Sequence, residues 1–382
     1  MSGLLSKAYW GLALAGAVYM VGLATLTTEW AQREALYAHR FHTLWWHDLD
    51  KPEQFGFAKN QVTPFYLSTS DGERLYAYHI LPPGVCAHNE ASLIDEPIGL
   101  APDVSRTEAF RLLQTDPNSR LVISFHGNAG HLGQGWRTDT WRALAAAGPD
   151  TIHVLTIDYR GYGHSTGRPS EAGLIQDGIA AVTWAMDVAR IPSSRIVLVG
   201  QSLGTAVTAA VAEHFATATI PVEFAAEILI APFTDLPGLL LTYSIKGVLP
   251  LLSPLRTYPF LQKWVLSRIL DTWKTKQRIE RLVRASSSLH LHLIHAINDV
   301  EIPWRHSDTL YRLAVNATKP EGYTARQLDQ AFNQADRWEG GWVNEWTTGK
   351  KSIREEIVRH GGHNRIATYS AVTLAVYRAL YL

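Results

Sequence analysis

Hydrophobic positions fall into three regimes along the chain. From Ala8 to Thr28 the residues are uncharged and dominated by Leu, Ala, Val and Gly, with Lys7 before them and Glu29 after. About 20 apolar residues suffice for a helix to cross the hydrocarbon core of a bilayer. This stretch therefore predicts an N-terminal membrane anchor over residues 1–30. Trp10 and Trp30 bracket it where amphipathic rings meet the interface. Triplets such as Ala13-Leu14-Ala15 match a signal-peptidase site, but a cleaved signal has a shorter apolar core. Residues 31–61 are read as a linker, and residues 62–382 as one folded domain.

From residue 62 the period shortens. Residues 65–68 and 75–81 read as strands joined across Asp71-Gly72, a hairpin signal. Residues 82–118 lack a clear period and read as a loop excursion. Short β-branched runs then alternate with helical stretches. The runs lie at 121–125, 152–157, 196–199, 227–230, 289–295 and 353–358, and helices are expected at 131–147, 171–189 and 203–216. Near-continuous apolar strands separated by helices predict an α/β fold, with a central, mostly parallel sheet covered on both faces. Residues 236–281 break the rhythm with Leu, Trp and Tyr punctuated by Pro250, Pro254 and Pro259. They read as a helical lid inserted over the carboxyl ends of the strands, where such sheets bind ligands.

Composition narrows the classes. The chain has 382 residues, 46% hydrophobic and 18% charged, so it can bury a large core. Thirty-five basic and 35 acidic side chains cancel, and no basic stripe stands out, which argues against nucleic acid as a partner. A single cysteine, Cys86, excludes an intramolecular disulfide and reads as structural. His290, His292 and His295 alternate along a strand, but no Cys accompanies them and adjacent positions face opposite sides. No metal site is expected. The sequon Asn316-Ala317-Thr318 favours a lumenal domain if it is glycosylated.

The chemistry concentrates in three places. Gly200-Gln201-Ser202-Leu203-Gly204 follows an apolar strand and opens an Ala-rich helix, the context of a nucleophile elbow. Ser202 is the expected nucleophile, and the N–H of Leu203 at the helix start is one oxyanion donor. His126-Gly127-Asn128-Ala129-Gly130 follows an earlier strand and supplies the second donor, Asn128, with Ala129 as the alternative. His126 is expected to stabilise this loop. An alcohol nucleophile requires a base and an orienting carboxylate, in the chain order serine, acid, histidine. Asp299, just past the strand ending at His295, is the expected acid, with Glu301 as competitor. His363 in His360-Gly361-Gly362-His363 is the expected base, with His360 as competitor. Asp158–Ser165 reads as a turn beneath the site.

Together, His126–Gly130, Asp158–Ser165 with Gly167-Arg168-Pro169-Ser170-Glu171, and Gly200–Gly204 resemble the α/β-hydrolase-domain serine hydrolases. The likeness is to the branch containing the membrane-anchored lysophosphatidylserine and monoacylglycerol lipases. Ala231-Pro232-Phe233-Thr234 and Asn298 to Pro303 share it, and it covers roughly residues 62–382. The resemblance implies the α/β-hydrolase fold, a Ser202–Asp299–His363 triad, hydrolysis of lipid acyl esters without a cofactor, and a place in the endoplasmic reticulum membrane. Sister branches remove palmitate from protein cysteines, so a thioesterase is the first alternative, and a non-catalytic membrane-tethered binding module that kept the fold is the second. Residues 319–351, with Trp338, Trp342 and Trp346, are longer than the family pattern and are expected to shape the pocket entrance or the membrane contact.

Overall fold

A computed structural model describes residues 2–43, 45–245, 249–324, 326–328 and 335–382. Its strands run in chain order β1 (Val62–Ser68), β2 (Arg74–Ile80), β3 (Arg120–Phe125), β4 (Ile152–Ile157), β5 (Ile196–Gln201) and β6 (Ala226–Ile230). They continue with a two-residue ribbon, β7 (Ser244–Ile245) and β8 (Leu249–Pro250), then β9 (Ser288–Ala296), β10 (Ala335–Trp338), β11 (Gly341–Thr348) and β12 (Lys350–Val358). Ten of them form one sheet in the order β1-β2-β4-β3-β5-β6-β9-β12-β11-β10. The six middle strands, β4 to β12, pair in parallel, and an antiparallel pair closes each edge. This is the expected α/β-hydrolase fold.

The apolar strands have two covered faces. Ile196 and Leu198 of β5 join the core beneath α7 (Glu171–Thr183), α8 (Leu203–Ala216), α11 (Thr275–Ala285) and α12 (Arg305–Ala317). Val197 and Val199, one residue out of phase, join the opposite core with α6 (Arg137–Ala146) and the last helix, α14 (Ser370–Tyr381). Because strand side chains alternate between faces, burial on both demands continuous apolar runs. The expected helix at 131–147 begins only at Arg137, since Gly133 and Gly135 interrupt it and Gly135 has φ +53°.

Three segments differ from expectation. Residues 82–118 carry three short helices, α3 (Pro83–His88), α4 (Glu90–Ile94) and α5 (Glu108–Thr115), the last capped by Thr107. Residues 31–61, expected as a linker, begin within α2 (Glu29–Tyr37), whose Tyr37 is fully buried in the main core. The segment read as a lid comprises α9 (Leu236–Thr242), the β7–β8 ribbon and α10 (Pro259–Leu266). Residues 275–281, also expected in the lid, instead begin α11, which packs on α8 as a covering helix. Residues 246–248 of the lid lie outside the described residues.

At the N-terminus, α1 (Ser2–Thr25) is long and apolar enough to cross a membrane. It stands clear of the domain along most of its length: Leu4, Trp10, Leu12 and Val18 are exposed. Only its last turns reach protein. Leu23 is buried against Leu252, Leu255 and Val265 of the lid, and the Tyr19 hydroxyl donates to the Leu251 carbonyl at 2.9 Å.

Candidate active site

Every residue of the site stands at the carboxyl end of a parallel strand. After β5 the chain turns at Ser202 with φ 55° and ψ −120°, a conformation that costs a non-glycine residue about 1–3 kcal/mol. The Ser202 N–H donates to the Ile230 carbonyl at 2.9 Å, and its carbonyl accepts the Thr205 N–H at 2.9 Å, which hold the turn. The flanking glycines are required for space. A Cβ on Gly200 would collide with the Gly204 carbonyl, and one on Gly204 with the Phe125 carbonyl.

His363 follows β12 in the short helix α13 (Gly362–Arg365). Gly361 and Gly362 before it have φ of +135° and +57°, a bend that side-chain-bearing residues rarely adopt. Its Nε2 lies 2.8 Å from Ser202 Oγ, and its Nδ1 lies 2.8 Å from Asp299 Oδ2. Gln201 donates to the His363 carbonyl at 3.1 Å, and the Gly362 N–H donates to Asn298 Oδ1 at 2.9 Å. The structure thus brings Ser202, His363 and Asp299 into one hydrogen-bonded line. Of the competitors, His360 is exposed, while Glu301 lies on the other side of the imidazole, its Oε2 3.8 Å from His363 Nε2.

Asp299 is held from every side. Its Oδ1 accepts the N–H groups of Glu301 and Ile302, both at 2.9 Å. Its Oδ2 also faces a second imidazole, His295 Nε2, at 3.2 Å. Burial works to raise the Asp299 pKa, but the hydrogen bonds from His295 and His363 hold it well below the usual carboxylate range. For His363 burial works downward, and the Asp299 hydrogen bond, with the charges of Asp299 and Glu301, outweighs it to raise the pKa.

Sequence reasoning placed His295 only in an alternating strand. It is fully buried, and its Nδ1 lies 2.7 Å from the Ser307 hydroxyl, which fixes the ring from behind. Its neighbours in the pattern go elsewhere: His290 is exposed and His292 faces Glu356 at 3.6 Å. The spacing His295-x-x-x-Asp299 is the signal that could have found it.

The loop 126–130 lies directly over the serine. A Cβ on Gly127 would stand 2.8 Å from Gln201 Oε1 and 3.3 Å from Ser202 Cβ. Neither the Asn128 nor the Leu203 N–H has a hydrogen-bond acceptor among the described residues, and both residues line the same cavity as Ser202. The Ala129 N–H is committed, donating to the Tyr37 carbonyl at 2.9 Å, which removes the alternative donor. Arg137, missed from the sequence, organises the loop. Its Nη2 donates to the carbonyls of Gly127, Asn128 and Ala129 at 3.0, 2.9 and 2.7 Å, and its Nη1 to that of His131 at 3.0 Å. Turning these carbonyls inward leaves the N–H of Asn128 free for a ligand.

His126 supports the loop. Its Nδ1 lies 2.6 Å from the Gly127 carbonyl, and burial, helped by the Arg137 charge, holds its pKa well below the ordinary imidazole value. The turn Asp158–Ser165 is a scaffold here. Tyr159 donates to the His126 carbonyl at 3.0 Å and Tyr162 to the Tyr37 carbonyl at 2.8 Å. Glu171 ties the start of α11 to α7: it accepts the Trp273 N–H at 2.8 Å and pairs with Arg278 at 2.6 Å.

Ser202, Asn128 and His363 open into a cavity of about 480 Å³. Its walls are mainly apolar, with Leu36, Leu239, Leu240, Leu252, Val265 and Ile302 prominent, and Glu301 is the one acid among the described residues that line it. Among the described residues, none of those lining the cavity comes from 319–351. The described part of that segment extends the sheet edge, where Trp342 packs edge-on to Trp304 and Trp346 to Tyr323. Residues 325 and 329–334 of it, like the Trp338 side chain, lie outside what is described.

Comparisons with known proteins agree with this architecture. Protein ABHD12B of Homo sapiens is 30% identical over 270 residues, 71% of this chain and 66% of that one. Lysophosphatidylserine lipase ABHD12 of Danio rerio is 25% identical over 283 residues, 72% and 64% of the two chains. The chain thus spans slightly less than two thirds of the length of these relatives. In three dimensions, an alpha-beta hydrolase from Vibrio vulnificus covers 92% of both chains with a TM-score of 0.56 at 14% identity, a likeness of fold. A model of the alpha/beta hydrolase family matches residues 122–373, and the chain belongs to that family.

Proposed function

We propose that this chain is a serine hydrolase that cleaves carboxylic esters of lipids, lysophospholipids or monoacylglycerols, through an acyl-enzyme. The observation that carries the reading is the line Ser202 Oγ, His363, Asp299, each link 2.8 Å, opening into an apolar cavity of about 480 Å³. Such a cavity suits a single acyl chain. His363 takes the Ser202 proton as Oγ attacks the ester carbonyl, while Asp299 keeps the imidazole oriented and stabilises its charged form. The Leu203 and Asn128 N–H groups receive the oxyanion, and the positive end of the α8 dipole adds to them. The alcohol departs with the proton from His363. Water, deprotonated by the same imidazole, then releases the fatty acid and restores Ser202.

The relatives' printed activity supports the substrate class: ABHD12 of Danio rerio and of Mus musculus is a lysophosphatidylserine lipase. The apolar helix α1 supports placement in a membrane as a single N-terminal span, and the sequon at Asn316 supports a lumenal catalytic domain, as in the endoplasmic reticulum. A mobility shift on glycosidase treatment that Asn316→Gln abolishes tests that orientation.

The decisive experiment is a panel of lysophospholipid, monoacylglycerol and palmitoyl-thioester substrates, run with the wild type and Ser202→Ala beside a fluorophosphonate probe. Labelling and lipid-ester turnover that both vanish in Ser202→Ala are expected. Labelling that survives in the variant removes Ser202 as nucleophile. Turnover of the thioester alone turns the reading to protein depalmitoylation.

A further inference from the structure

The last turns of α1 behave unlike the rest of that helix. Leu4, Trp10, Leu12 and Val18 are exposed, yet Leu23 is only 4% exposed and Leu26 is half-buried. Both leucines line the cavity that contains Ser202. They are kept there by polar ties as well as packing. Beyond the Tyr19–Leu251 hydrogen bond, Gln32 of α2 donates to the Arg268 carbonyl at 2.7 Å and accepts the Leu270 N–H at 3.0 Å. The two helices and the lid are therefore fastened at both ends of the leucine contact. An element whose length and composition suit a membrane thus contributes apolar surface to the site of chemistry.

We propose that Leu23 and Leu26 are specificity-determining residues, forming a wall against which the acyl chain of the substrate lies. The inference rests on the acyl-ester reading above and adds that the anchor is part of the binding site. An acyl chain gains about 0.8 kcal/mol for each methylene it buries, close to fourfold in kcat/KM per carbon. A wall made by α1 is therefore read out as chain-length preference. Short esters fill only the region near Ser202 and do not depend on these leucines, whereas long chains do.

The test uses the full-length protein in detergent micelles with a series of glycerol or nitrophenyl esters from C4 to C18. Leu26→Trp and Leu23→Trp fill the cavity with the larger ring. Both are expected to lower kcat/KM for C16 and C18 by roughly tenfold or more while leaving C4 within about twofold. Leu12→Trp, on the exposed part of α1, is expected to leave the whole series unchanged. The fluorophosphonate labelling rate checks that each variant retains a formed site; if Leu23→Trp fails that check, Leu26→Trp and the milder Leu23→Phe carry the test. A uniform drop across all chain lengths, or no change at C16 and C18 in labelled variants, overturns the proposal. Absence of ester turnover at every length in a wild type that still labels overturns the acyl-ester reading instead.

Discussion

The carbonyl of Tyr37 accepts the N–H of Ala129 at 2.9 Å, which joins the segment following the apolar helix to the loop over Ser202. The next link is parallel: the Gly130 N–H donates to the Phe41 carbonyl at 2.7 Å. The segment after α1 therefore helps to hold the loop over Ser202 in shape. Removal of residues 2–27 is expected to leave hydrolysis of a short soluble ester within a few-fold of the intact chain. Removal of residues 2–43 is expected to lower it by about 100-fold or more, comparable to losing an oxyanion donor. Equal rates from the two truncations would show that the loop keeps its shape unaided.

Arg137 presents a separate expectation. Its guanidinium is the shared donor for three successive carbonyls, and burial pushes the pKa of nearby Asp158 up to about 8 against the pull of the Arg137 charge. Arg137→Met strips donors from buried carbonyls, each costing about 1–3 kcal/mol. We expect a melting temperature lowered by several degrees and kcat on a soluble ester reduced about 100-fold, with KM changed far less. Arg137→Lys supplies one point donor in place of a planar fork and is expected to recover only part of the loss.

His295 acts through Asp299 and touches no reacting atom. His295→Leu removes a donor to a buried carboxylate, a loss of about 1–2 kcal/mol, and is expected to lower kcat and the fluorophosphonate labelling rate about tenfold at unchanged KM. The less stabilised carboxylate also shifts the acid limb of the rate profile, which packing damage alone would leave in place. His295→Gln keeps an N–H donor and is expected to restore most of the rate. Parallel losses in both variants with an unmoved profile would reduce His295 to packing.

The pH dependence has a definite sign. The reaction needs neutral His363, whose pKa is raised, so kcat/KM falls as pH drops through a value above that of ordinary imidazole. Glu301 contributes to the rise by its charge. Glu301→Gln is therefore expected to move the acid limb toward lower pH, measured on a neutral ester, without altering the plateau. A limb that stays fixed, or moves upward, refutes this role of Glu301.

Much of this site was legible because its chemistry is written locally. Ser202 needs glycines two residues to either side for lack of space, and such a requirement leaves a pattern in any sequence. His363 and Asp299 follow from chain order and from standing just past apolar strands. Arg137 and Tyr37 were not legible, since each works through contacts made only when the chain is folded, and His295 left only its spacing from Asp299 as a trace. A backbone carbonyl that accepts from a loop about 90 residues away carries no side-chain signature, and Tyr37 holds Ala129 in that way. The apolar residues of α1 are likewise spread over its whole surface, so nothing in their pattern tells that Leu23 meets Leu252, Leu255 and Val265.

Glu301 also bears on what happens after the bond is broken. On the proposed reading, hydrolysis replaces a neutral ester by a fatty carboxylate inside an apolar cavity whose one acid among the described residues is Glu301. Like charges in a poorly solvated space repel strongly. On that reading the ester meets no such repulsion, whereas the newly formed anion faces the charge of Glu301, which favours its departure and weakens inhibition by accumulated fatty acid.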